Sequence, residues 1–394
     1  MDNLWIIIHK ITMNLYQVEL YENLMKLCAS TEAFYYQDFN LDNSTMRIFN
    51  YRLASYTDFL APGAIECRGI MYEVDSASNE PIHLASLPMH KFFNYRENPL
   101  TMDLDLTKIK TIETKADGSL ISTYIHNNEL RLKSKGSLSS DQALAAMKWL
   151  DRPENLSFKN QLYDLTENWF LTVNLEWCSI ENRIVIGYNE PQLFVLNARY
   201  RYTGKYLSFD TIKLSHVDVH SRHINTISVK DPVEFVTSIP LMQNIEGFVA
   251  KLEDGTWIKI KTNWYLSLHR AKDSINSPRR LFEAVLDDGI DDLRSLFFND
   301  ASLIKKIDEM QQRVDHLYNH LVATVESFYE KNKHLDRKEY AILGQKELNH
   351  MYFGLAMNLY LKKQPEYKLF LKKHHKDFGI KDDVSLEQNH DDGG

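Results

Sequence analysis

The chain has 394 residues, 44% hydrophobic and 25% charged, with a net charge of −8, an ordinary composition for a globular protein of two or three domains. The acidic balance argues against a protein that coats nucleic acid nonspecifically, but not against an enzyme with a local basic cleft. Cys28, Cys67 and Cys178 lie far apart with no CxxC pair, which argues against a disulfide framework or a cysteine zinc site and for a reducing, cytoplasmic location.

The run Leu4-Trp5-Ile6-Ile7-Ile8 is too short to span a bilayer, and no signal-peptide pattern accompanies it. Residues 1–12, with Met13 just beyond, read as a loose extension or an upstream-start artefact. No other segment qualifies as membrane-spanning. Residues 13–30 read as a helix, since Leu20, Leu24 and Leu27 repeat at helical spacing.

From about 45 to 262, short apolar or alternating runs are broken by Gly, Pro, Asn and Asp. Strands are predicted at 48–51, 69–74, 119–125, 130–133, 172–177, 192–197, 247–252 and 256–261. A helix is predicted at 139–150, capped by Ser139 or Ser140. Beyond about 275 the strand signals stop. Asn276-Ser277-Pro278 reads as a helix start. Residues 303–330 repeat apolar side chains at spacings of three and four, from Leu303 to Phe328, and one further helix is predicted over 336–361.

The expected fold class is therefore α+β: an antiparallel-sheet domain over 13–270, then an all-helical domain over 271–385, with a polar, disordered tail at 386–394.

Chemistry concentrates in a few short motifs. In Thr114-Lys115-Ala116-Asp117-Gly118-Ser119, a lysine ends an extended segment before a tight Asp-Gly turn. A lysine amine attacks phosphorus only when deprotonated, so burial or nearby cations must lower its pKa. Gly118 would let backbone approach a ligand closely. Alone, the motif reads equally as a hairpin turn after a solvated lysine.

In Ile258-Lys259-Ile260-Lys261, alternation puts both lysines on one strand face. There they suit a triphosphate and would depress the pKa of a neighbouring lysine. Glu176 lies within an apolar strand and Glu246 opens another. Such carboxylates hold Mg²⁺ or ribose hydroxyls, or else pair with Arg or Lys. Arg68, Lys91, Lys133 and Lys135 offer a phosphate-lined groove. His216, His220 and His223 sit in a polar loop with no cysteine or fixed acid and do not read as a metal cluster. Asp315, His316 and His320 read as the solvated face of a helix. The basic run Lys372–Lys376 reads as surface or as an RNA contact.

In order, ECRGI, KFFN, KADGS, KSKGS, LEW, IEGFV and IKIK resemble the signature motifs of the covalent nucleotidyltransferase superfamily of polynucleotide ligases and capping enzymes. The fuller wording resembles the RNA ligase 1 family of T-even-like bacteriophages, the tRNA-repair ligases, from about residue 19 into the helical region. The resemblance implies an ATP-dependent RNA ligase in which Lys115 is adenylylated and Asp117 and Gly118 complete its motif.

It further implies that Arg68, Lys91, Phe93 and Lys135 contact the nucleotide and its phosphates. Glu176 would bind ribose or metal, and Glu246 and Gly247 would serve metal binding and chemistry. Lys259 and Lys261 would hold the α-phosphate and the leaving pyrophosphate, and Asp291 and Asp292 resemble a further acidic pair for metal. The implied cofactors are ATP and Mg²⁺. The implied partner is RNA, such as a tRNA with a broken anticodon loop, met by a monomer in the cytoplasm and not at a membrane.

One departure stands beside the nucleophile: relatives carry an acidic residue where this chain has Ala116, which implies tuning rather than loss. Two alternatives remain at this point. One is a DNA ligase or capping enzyme, disfavoured because those follow the catalytic domain with a β-rich fold. The other is an RNA-binding relative that lost catalysis.

Overall fold

The computed structural model describes residues 13–41, 44–52, 54–180, 185–287, 290–297, 300–363 and 365–381. The expectations for 1–12 and 386–394 lie outside the described residues. The chain divides into two compact units, meeting between Leu266 and Ser267.

The first unit opens with helix Leu15–Ser30. Asn14 and Gln17 cap it reciprocally, each side chain taking the other's backbone N–H at 3.0 Å. Leu20, Leu24 and Leu27 are buried against Phe34, Phe49, Phe59 and Tyr72. Strands β1 (Phe34–Leu41), β2 (Ser44–Tyr51), β3 (Ile70–Val74) and β4 (Pro81–Ser86) form an antiparallel sheet in sequence order.

The remaining strands are β5 (Phe93–Asn94), β6 (Ile109–Lys115), β7 (Ser119–His126), β8 (Glu129–Ser134), β9 (Leu171–Cys178), β10 (Gln192–Tyr200), β11 (Thr226–Ile227), β12 (Gly247–Leu252) and β13 (Trp257–Lys261). They build two more sheets, ordered β10-β9-β7-β8 and β11-β6-β12-β13-β5. All pairings are antiparallel except β13 with β5. β6 belongs to one of these sheets and β7 to the other, so the link Ala116-Asp117-Gly118 steps between them.

Helices Asp141–Leu150 and Leu156–Glu167 cover β7, β8 and β9 through Ala146, Leu150, Phe158, Leu162 and Leu165. Ser140, not Ser139, is the cap of the first. Every residue of β9 is buried.

The second unit is helical. Asp300 caps helix Ala301–Asn332, accepting from Leu303 N at 3.1 Å. Leu303, Ile307, Val314, Leu321, Val325 and Phe328 supply its buried stripe. The single helix expected over 336–361 is instead two, Arg337–Glu347 and Phe353–Tyr360. Asn349 breaks it: its side chain accepts from Met351 N at 3.1 Å and its carbonyl from Tyr352 N at 2.8 Å, closing a local turn. Among the described residues, no helix is long and apolar enough to cross a membrane.

Candidate active site

The register places Lys115 of β6 and Lys261 of β13 on either side of Gly247 of β12. Glu246, immediately before Gly247, reaches both lysines. Its Oε2 lies 3.1 Å from Lys115 Nζ and its Oε1 3.2 Å from Lys261 Nζ. Neither oxygen meets hydrogen-bond geometry with any described residue, so these contacts are ion pairs of proximity. Gly247 is required here, because a Cβ would stand 2.0 Å from the Ile260 carbonyl oxygen.

Glu176 enters from the other sheet, where it opposes Leu120 of β7. It is completely buried, and neither carboxylate oxygen has a hydrogen-bond partner among the described residues. Asn174, two residues earlier on the same strand, shows the contrast. It accepts from Ser122 at 2.7 Å and donates to Asn197 at 2.8 Å. The simple alternative for Glu176, a satisfied ion pair, is therefore not what the fold provides. Burial pushes its carboxyl up to about 8 against the pull of Lys115.

Lys115 is itself 5% exposed. Burial works to lower its pKa, but Glu246, then Glu176 and Asp117, outweigh it and hold the ammonium above its ordinary value. The expectation that Lys259 and Lys261 poise Lys115 as a low-pKa amine is thus corrected. Lys261 is paired with Glu246, Lys259 lies over the Phe92 ring at 5.2 Å, and the carboxylates decide the balance. Glu246 is also pushed up by burial, with Lys115 and Lys261 opposing.

Asp117 is a positioning group. Its Oδ2 accepts from Val185 N at 2.7 Å and Ile186 N at 2.6 Å, and its Oδ1 accepts from the Tyr265 hydroxyl at 2.8 Å. Its own N–H donates to the Tyr188 hydroxyl at 3.0 Å. These bonds fix the turn after Lys115. Gly118 approaches β9: a Cβ there would lie 2.4 Å from the Trp177 carbonyl oxygen and 2.7 Å from Cys178 Sγ. Gly118→Ala should therefore destabilise the unit by about 1–3 kcal/mol or more. Urea unfolding checks this, and an unchanged midpoint would contradict it. Ala116 packs with Cys178 and Ile224 in a small apolar cluster.

A second group of cations gathers around Tyr51. Lys91 and Lys135 each place Nζ 5.1 Å from its ring centre, and Lys91 donates to its hydroxyl at 3.2 Å. Burial would raise the Tyr51 pKa, but Lys91, Arg68 and Lys135 override it and bring it below its ordinary value. Arg68 is buried, and its Nη1 has no hydrogen-bond partner among the described residues. Phe93 lies inward beneath Lys91, 5.4 Å from Nζ, and packs edge-on against Phe59. Lys133 does not join the groove expected for it. It is fully buried, donates to Ser134 O at 3.0 Å, and burial lowers it to about 7.

Two cavities meet at Lys115. A narrow one of about 30 Å³ is lined by Phe92, Glu113, Glu176, Leu196, Val249 and Trp257. A wider one of about 550 Å³ is bordered by Tyr188, Gln192, Phe194, His223, Asn225 and Asn244. Asp291 and Asp292 lie in the second unit on helix Ile290–Phe297, and their side chains fall outside the described residues. His216 pairs with Asp164 at 2.9 Å, and no group of three metal-ligating side chains occurs among the described residues. Tyr188 and Tyr265 carried no sequence signal, because each bonds Asp117 across a long stretch of chain.

A buried lysine thus stands at the joint of two largely antiparallel sheets, faced by carboxylates and flanked by cations. The chain is a member of the RNA ligase family, whose family model matches residues 66–265, just over half of the sequence. The model for the T4 RNA ligase 1 C-terminal domain matches residues 272–381. A Thermovibrio ammonificans protein named "Putative RNA ligase" is 26% identical over 323 residues, covering 78% of this chain and 80% of that protein. A protein of Autographa californica nuclear polyhedrosis virus, named "Putative bifunctional polynucleotide kinase/RNA ligase", is 26% identical over 267 residues. That match covers 62% of this chain but only 36% of the viral protein. Among solved structures, an archaeal ATP-dependent RNA ligase aligns with 13% identity and a TM-score of 0.43, over 74% of this chain and 75% of that one.

Proposed function

We propose that the protein is an ATP-dependent RNA ligase that joins a 5′-phosphate to a 3′-hydroxyl through lysyl-AMP and RNA-adenylate intermediates. The observation that carries this reading is Lys115 held 3.1 Å from Glu246 beside the unpartnered, buried carboxylate of Glu176. Burying two carboxylates without hydrogen bonds is costly, and a bound ligand would offset that cost.

Once deprotonated, Lys115 Nζ attacks the α-phosphorus of ATP. An N–P bond forms, the bond to pyrophosphate breaks, and Nζ gives up a second proton. The 5′-phosphate of an RNA end then attacks the AMP phosphorus and frees the lysine. A 3′-hydroxyl attacks the activated 5′-phosphorus, loses its proton, and AMP leaves. Lys259, Lys261, Arg68, Lys91 and Lys135 offset the charge of the transferring and leaving phosphates.

Glu176 and Glu246 suit Mg²⁺, an ion commonly held by one or two carboxylates with phosphate and water completing its shell. When bound, the ion would neutralise the carboxylates that keep Lys115 protonated and stabilise charge on the phosphoryl oxygens. The helical second unit supports a folded RNA as substrate, such as a tRNA cleaved in its anticodon loop, recognised by shape.

Incubation with ATP labelled in its α-phosphate tests the reading. Label should attach to the protein, survive acid, and pass to 5′-phosphorylated RNA. Absence of labelled protein sinks the proposal, and sealing of nicked duplex DNA in preference to RNA ends favours the DNA ligase alternative.

A further inference from the structure

Arg199, on β10, is 3% exposed and lies outside the groups that face Lys115. Its Nη1 donates to Glu66 Oε2 and to the Pro88 carbonyl, both at 2.7 Å. Its Nη2 donates to Glu66 Oε1 at 2.9 Å and its Nε to the Gly204 carbonyl at 3.1 Å. The guanidinium also lies 4.9 Å from the centre of the Tyr206 ring.

Two of these partners, Glu66 and Pro88, sit on the two loops that carry cations. Glu66 is two residues before Arg68, and Pro88 three before Lys91. The loops are also tied to each other, since Lys91 N donates to Ile65 O at 2.7 Å, and within the first of them Arg68 N donates to Glu66 O at 2.7 Å. Tyr206 extends the clamp. Its hydroxyl accepts from His90 N at 3.2 Å and lies 2.7 Å from His90 Nδ1. Its ring packs 4.6 Å from Trp257, the first residue of the strand bearing Lys259. Burial, reinforced by Arg199, lowers His90 to about 4, so at neutral pH it adds no competing charge.

We infer that Arg199 is a positioning residue for nucleotide phosphates. Its fork fixes the loops 66–68 and 88–91 so that Arg68 and Lys91 meet the phosphates together. This rests on the ATP-dependent reading above. The competing account is a buried ion pair that serves stability alone. A lysine at this position keeps the charge but cannot bridge a carboxylate and a carbonyl in one plane. A displacement near 1 Å at a phosphate contact costs on the order of 10²-fold in rate.

A double-mutant cycle tests the inference, read as the single-turnover rate of lysyl-AMP formation and the KM for ATP. Arg199→Lys should slow adenylylation by roughly 10- to 100-fold and raise the KM, at temperatures well below its own melting midpoint. Combined with Arg68→Ala or Lys91→Ala, it should add little, because its effect passes through those groups. Glu66→Gln, a milder change to the same clamp, should show the same coupling if Arg199→Lys folds poorly. Effects that multiply in full, or that vanish on cooling below the melting midpoint, would overturn the inference. Wild-type protein that takes no label overturns the ligase reading and this inference together, whereas labelled wild type with fully multiplying double mutants overturns only this one.

Discussion

Lys115→Arg should leave the melting midpoint close to that of the wild type and abolish transfer of AMP to the protein, a loss on the order of 10⁴-fold or more. The two expectations separate the lysine's charge from its nucleophilicity. Lys115 faces Glu246 at 3.1 Å with Glu176 nearby, and both carboxylates are buried. Removing the cation would leave them uncompensated, so Lys115→Ala confounds catalysis with stability. Arginine retains the positive charge but does not deprotonate at any usable pH, and so cannot form the N–P bond. Thermal melting and α-labelled ATP on the same sample check both halves. Residual labelling of the arginine variant above background would place the nucleophile elsewhere.

Glu176→Gln should stabilise the protein at pH 8 while lowering sealing by on the order of 10²-fold. In the unfolded chain this carboxyl titrates near its ordinary value of 4.5; in the fold, burial raises it to about 8. Between those values the folded state binds a proton that the unfolded state releases. Its contribution to stability is therefore fully present below about pH 4.5 and is lost as pH rises toward 8. Glutamine has no such titration, so the variant should melt several degrees above wild type at pH 8 and about level with it near pH 4, both without nucleotide or divalent cation. A variant less stable than wild type at pH 8 would show that Glu176 has a structural partner after all. Nucleotide and divalent cation should narrow the pH 8 difference, because they bind the wild-type carboxylate and stabilise its folded form.

The parts of the fold legible in the sequence were those whose pattern is local. β7, β9, β12 and β13 show short apolar runs between turn residues, and helix Ala301–Asn332 shows its stripe at spacings of three and four. β1 escaped because it is a sheet edge with mostly exposed or half-buried residues. β4 begins on a proline, a residue that weakens a strand reading. Helix Leu156–Glu167 did carry a signal, Phe158, Leu162 and Leu165 at helical spacing, hidden among polar neighbours.

The site divides in the same way. Lys115, Glu176, Glu246, Lys259 and Lys261 stood out as an ordered set, and the fold brings carboxylates and lysines together around the first of them. The bonds of Arg199 to Glu66 and of Tyr265 to Asp117 span 133 and 148 residues, so no local pattern announces them. The protonation of Lys115 is hidden from local sequence for a related reason. Sequence shows which charges exist, but only the packing of the strands shows that Glu246 claims Lys261 and that carboxylates prevail at Lys115.

The row Lys115–Gly247–Lys261 also bears on errors during folding. A strand's side chains alternate sides, so a one-residue slip of β6 against β12 would turn Lys115 to the opposite face and bring Thr114 opposite Gly247. Glu246 would lose one of its two lysines, and the unpaired carboxylate would be driven back toward water. Mispaired molecules would thus be both inactive and unstable, exposed to proteolysis before they could bind nucleotide unproductively, and the surviving population would be uniform in its chemistry.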